Sequence, residues 1–186
     1  MNPKSLFKRY LKDLTTGEEI ACNATCVATA ITEDNSMLYV IVECLESNMD
    51  KIKADCNKDD DYRIFGDDVV EVYIATPEAK YFKIAVNLNG ALYDETTDPK
   101  IIERDTLPLL WQSDAKAFIK KTADSWIVEL AIPTQDFGKL GPSTAFKWGL
   151  QIGRTRLARD RIANQALCPT GGRFDVTTKW ANIWSR

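Results

Sequence analysis

The sequence predicts an all-β fold, an antiparallel β-sandwich. Apolar residues alternate with polar ones in a series of short runs, which is the period of strands and not of helices. Turn-forming residues separate these runs, as in EDNS (33–36), TPEAK (76–80) and ADS (123–125). The chain has 186 residues, 45% of them hydrophobic and 27% charged, an ordinary globular balance. That length supports one sizeable core, so residues 1–186 read as a single domain.

The first convincing strand is EEIACNATCVATAIT (18–32), followed by a turn at 33–36. MLYVIVECLE (37–46) is almost continuously apolar, the pattern of a central buried strand. A long polar loop, 47–66, carries five aspartates. DDVVEVYIATP (67–77) and AKYFKIAVNLNG (79–90) form a hairpin. In its first strand Val70, Val72 and Ile74 point one way, and Val69, Glu71 and Tyr73 the other. ALYDET (91–96) is a short strand, and 97–114 a long loop with two prolines. A second hairpin spans 115–133, with Ala117 and Ile119, then Trp126, Val128 and Leu130, on one face and Pro133 ending the ladder. Residues 134–144 form a loop, 146–158 a strand, and 180–184 the last strand.

Several function classes are disfavoured. A net charge of −3 is wrong for a nucleic-acid groove, and the basic run RTRLARDR (154–161) is interrupted by Leu157, Ala158 and Asp160. No apolar stretch is long enough to span a bilayer, so no membrane partner is expected. There are five cysteines and no histidine, which argues against zinc. Cys22 and Cys26, on one strand about 13 Å apart, cannot pair with each other. Either could reach Cys44 only if their strands are neighbours. Without histidine, a serine nucleophile motif or a phosphate loop, the chain reads as no enzyme.

LYVIVECLE, FGDDVVEVYIA, YFKIAVNLNGALYD, SWIVELAIP, KWGLQIGRTR and CPTGGRFDVTTKWANI occur here in an order and at a spacing that resemble family 9 carbohydrate-binding modules. The resemblance covers roughly residues 20–186. It implies a jelly-roll-like sandwich with a sugar-binding surface on one side, and an oligo- or polysaccharide as partner. It also implies a location outside the cell or in the periplasm, and a parent or partner glycoside hydrolase. The glutamate that contacts sugar in the family falls on Glu71. One of the two clamping tryptophans falls on Phe65. The second clamp comes from a loop near the C-terminal end, where ANQALCPTGGRF (163–174) has no aromatic until Phe174. Structural calcium, also implied, would fall to Asp67 and Asp68.

Sugar recognition needs flat aromatic faces and fixed polar groups for the hydroxyls. Alternation groups Glu71 and Tyr73 with Tyr81, Lys83 and Asn87 on the hairpin's outer face, and Gln151 and Arg154 lie near it. Trp111, beside the long loop, is the candidate exposed platform. Each has a plainer alternative. Glu71 and Lys83 could be a cross-strand ion pair on a solvated face, worth under about 1 kcal/mol. Asp67 and Asp68 could simply organise a turn, and the tryptophans could all be core. The whole chain could then be a structural or protein-interaction sandwich without a sugar site.

Overall fold

The computed structural model describes residues 7–97, 111–137, 148–157 and 162–183. β-Branched and aromatic residues at alternate positions build its strands. In chain order they are β1 (Phe7–Tyr10), β2 (Lys12–Asp13), β3 (Thr25–Ile31), β4 (Met37–Leu45), β5 (Val69–Ala75), β6 (Tyr81–Asn87), β7 (Leu92–Thr96), β8 (Lys116–Lys121), β9 (Ser125–Pro133), β10 (Trp148–Arg156), β11 (Ala163–Ala166) and β12 (Ala181–Ile183). One antiparallel sheet has the order β1-β3-β4-β9-β8. The other runs β2-β11-β10-β5-β6-β7, with β12 also paired to β10. Between them lies a core that includes Val40, Val42, Val70, Val72, Ile84, Trp126, Val128 and Ile152. Trp126 is wholly buried.

Both hairpins form as expected, with Tyr73 opposite Lys83 in the first and Ile119 opposite Val128 in the second. The turn at 33–36 also forms, with Asn35 in the left-handed region at φ 56°. The first long strand starts later than expected. Asn23 adopts φ 56°, which breaks the extended run, so pairing begins at Thr25 and Cys22 lies exposed before it. None of the five cysteines is in a disulfide. Cys44 is opposite Thr25 while Cys26 is opposite Glu43, so Cys26 and Cys44 point to opposite faces of their sheet. β1, β2 and β11 were not expected; they are short, polar and lack a period long enough to read. Most of the loops expected at 97–114 and 134–144 lies outside the described residues, as does Trp184.

Two burial expectations are reversed. The continuous apolar run of β4 is covered on one face only. Leu38, Val40, Val42 and Cys44 are buried, while Tyr39, Ile41 and Leu45 are exposed. The alternating run of β5 is buried at every position. Its outer face is roofed by the 3-10 turn at Tyr62–Gly66 and by a C-terminal loop carrying Phe174 and Trp180.

A buried ion cluster ties the sheets together. Glu46, just past β4, accepts hydrogen bonds from Arg156 Nε and Nη2 at 2.5 and 2.6 Å, from Arg154 Nη2 at 3.0 Å and from the Asn48 N–H at 2.9 Å. Arg154 also donates to the carbonyls of Asn23 and Leu45. All three charged side chains are almost fully inaccessible to water. Burial alone would raise the Glu46 pKa. The Arg156 hydrogen bonds, the Asn48 N–H and the two guanidinium charges outweigh burial and hold it below 4.5.

Removing Glu46 strands two buried cations, so Glu46→Ala should destabilise by about 3–5 kcal/mol in urea unfolding. Because its pKa is depressed on folding, Glu46 stabilises fully above its ordinary value of 4.5. That contribution drains away as pH falls below it. The stability difference between wild type and Glu46→Gln should therefore shrink on acidification. Asp94 has the opposite sign. Burial pushes it up to about 6, so its contribution is lost as pH rises through that value, and Asp94→Asn should flatten that limb.

Candidate functional site

The outer face of β5 and its neighbours is shaped by small residues. Gly149 and Gly153 lie two strand repeats apart on β10, on the face where Gly153 pairs with Glu71. A methyl group at Gly153 would meet the Phe174 ring at 2.5 Å. One at Gly149 would meet Trp180 at 3.3 Å and the Ala75 side chain at 3.2 Å. The two glycines are therefore seats for the two rings. The loop is also held by Gln151, whose amide makes a two-way hydrogen bond with the backbone of Cys168 at 2.6 and 2.8 Å. Trp180 Nε1 donates to the Phe174 carbonyl.

Between the two roofing segments lies a polar cluster edged by rings. The Tyr73 hydroxyl donates to Glu71 at 2.6 Å. Lys83 pairs with Glu95 at 2.8 Å, and the Tyr93 hydroxyl donates to the other Glu95 oxygen at 3.1 Å. The Lys83 ammonium sits 4.1 Å from the centre of the Phe65 ring. On the other side Phe174 stacks on Tyr73 at 6.0 Å, and Tyr81 meets Tyr73 edge-on at 5.7 Å. Burial pushes the Glu71 carboxyl up, against the opposing pull of Lys83 and the Tyr73 hydrogen bond. Tyr73 itself is raised well above 10, first by burial and then by Glu71. The cluster thus gathers carboxyls, an ammonium, phenol hydroxyls and ring faces within one patch, its polar groups paired with one another.

Phe65, Glu71, Tyr73 and Lys83 are thus brought together. The plainer alternative, a Glu71–Lys83 ion pair on a solvated face, does not hold: Lys83 pairs with Glu95, and the face is roofed. Glu95, Tyr93 and Phe174 join the cluster although sequence reasoning missed them. The register of ALYDET was the available signal, since it places Tyr93 opposite Ala85 and Glu95 opposite Lys83.

The other candidates are elsewhere engaged. Trp111 is no exposed platform; it is buried in the core against Phe82 and Phe137. Arg154 points inward to the Glu46 cluster. Gln151 is fully buried and spent on Cys168, and Asn87 donates to Asp67 and to the Cys56 carbonyl. Asp67 and Asp68 are turn organisers. Asp67 accepts from the N–H groups of Asp55 and Cys56, Asp68 from those of Lys53 and Leu157. All four oxygens are already satisfied by N–H donors, so the pair does not fit a calcium ion, which needs free oxygens. Among the described residues no group of three or more His, Cys, Asp or Glu could hold a metal.

The family model described as "Carbohydrate family 9 binding domain-like" matches residues 8–178. The chain belongs to that family. A solved structure with the same fold is that of a proposed carbohydrate-binding protein from Bacteroides uniformis ATCC 8492. It is 13% identical, with a TM-score of 0.70, over 95% of this chain and 85% of that one. No curated protein matches. Within the family 9 fold, the cluster described above lies on the outer face of the sheet that contains β5.

Gly153→Ala should expel Phe174 from its seat, because Gly153 has no left-handed backbone to defend but no room for a methyl group. The expected cost is about 1–3 kcal/mol, with a changed near-ultraviolet circular dichroism signal from the displaced rings.

Proposed function

We propose that the protein binds a carbohydrate without transforming it, through the cluster of Glu71, Tyr73, Lys83 and Glu95 edged by Phe65 and Phe174. The observation that carries this reading is the convergence of two aromatic segments, far apart in sequence, on one charged patch. Carboxyl and ammonium groups make stronger hydrogen bonds to hydroxyls than neutral groups do, and the rings cover the C–H face of a pyranose. In this reading the protein serves glycan utilisation outside the cell or in the periplasm, appended to or working beside a glycoside hydrolase. Family membership supports the carbohydrate binding itself.

A specific observation favours a second reading, in which the sandwich has lost its sugar site and serves structure or protein interaction. The Lys83 ammonium takes up a face of Phe65, and Phe174 lies against Tyr73, so the patch is filled by its own side chains. Titration calorimetry with gluco-, xylo- and manno-configured sugars separates the two. Saturable binding that Glu71→Ala weakens roughly tenfold or more supports the carbohydrate reading. No heat from any series, with the protein folded, supports the second.

A further inference from the structure

Beyond Phe65 the same turn carries an aromatic that the cluster does not use. Tyr62 is 65% exposed, a large apolar ring left in water. It packs edge-on against Phe65 at 5.1 Å and Tyr93 at 6.1 Å, and those two rings pack on each other at 5.1 Å. Lys83 Nζ, Phe65 and Tyr62 therefore follow one another in steps of 4.1 and 5.1 Å, leading out of the cluster along the surface. The residues on either side of Tyr62, Asp61 and Arg63, form a close ion pair. They line a groove of about 340 Å³ together with Lys53, Asn57 and Lys58. The backbone here is held: Asp61 caps the turn by accepting from the Arg63 N–H, and Asp67 and Asp68 pin the facing loop.

We propose that Tyr62 is a second stacking platform, so that the site takes a chain of at least two pyranose rings and not a lone monosaccharide. This rests on the carbohydrate reading of the Glu71 cluster. One ring lies against that cluster and the next covers Tyr62. The charged and amide groups of the groove then serve hydroxyls that a monosaccharide would leave in water. Three features point the same way: an exposed ring continuous with the cluster's own rings, a rigid turn that presents it, and polar groups beside it. An aromatic platform is tolerant of hydroxyl pattern, so Tyr62 sets length preference more than sugar identity.

The test is calorimetry on the full chain with mono-, di- and tetrasaccharides of the gluco, xylo and manno series, for wild type, Tyr62→Ala and Glu71→Ala. In a series that binds, affinity should rise roughly five- to tenfold from mono- to disaccharide. Tyr62→Ala should remove that rise and leave monosaccharide affinity within about twofold. The variant keeps its fold, as far-ultraviolet circular dichroism would verify, because the side chain is exposed. Length-independent binding in wild type overturns the platform. So does a Tyr62→Ala variant that keeps the full length dependence while Glu71→Ala loses affinity; that result leaves the carbohydrate reading standing. Absence of binding in every series overturns both.

Discussion

The Glu46–Arg154–Arg156 cluster is the interaction on which the rest of the arrangement depends. It joins the end of β4 in one sheet to β10 in the other, out of contact with water. Such a cluster adds little net stability over apolar packing, but it punishes any register that leaves a charge unpaired. Side chains alternate strictly along a strand. With Arg154 and Arg156 committed inward, Gln151, Gly153 and Thr155 must face outward. Gly153 is then where Phe174 sits, and Gln151 is where the C-terminal loop is clamped. A slip of one residue would bury those groups in the core and bring the arginines to the outer face.

The second constraint is the roof over β5. Asp67 and Asp68 fasten the 53–56 segment by accepting its N–H groups, and Asn87 closes the same corner from β6. Phe65 is thereby held beside Lys83. The opposite corner is fastened by glycine seats and the Gln151 clamp. The candidate site is what remains between two independently anchored segments. Its carboxyl is pushed up by burial, while its neighbour Glu95 is engaged by Lys83 and Tyr93. A site built this way has its polar groups fixed before any ligand arrives, which lowers the ordering cost of binding.

Much of the fold was legible because it is local. Period-2 alternation, turn residues and the proline at 133 are written in short windows, and both hairpins followed from them. The grouping of Glu71, Tyr73 and Lys83 was legible for the same reason, since hairpin register follows from alternation and turn length; Phe65 was legible only through the family resemblance. Burial was not. β4 reads as a strand covered on both sides and is half exposed, because among the described residues no layer lies over the outer face of its sheet. β5 reads as half solvated and is covered, because the turn just before it folds over its outer face and a segment about a hundred residues after it returns there.

The sequence by itself determined the all-β class, the main hairpins, the family and the strand that carries Glu71. The class, the hairpins and the strand depend on residue type and on spacings within a few positions, and the family on the order of such stretches along the whole chain. Only the tertiary structure decided which polar residues are spent inside the protein. Arg154 and Gln151 are adjacent in spacing to the site yet wholly spent inside the protein, and Trp111 is core and no platform. Glu95, Tyr93, Phe174 and Tyr62 enter through strand pairing and ring contacts across 12 to more than 100 residues of chain. A buried charge takes whichever partner satisfies it, and that partner is chosen by the packing of both sheets at once.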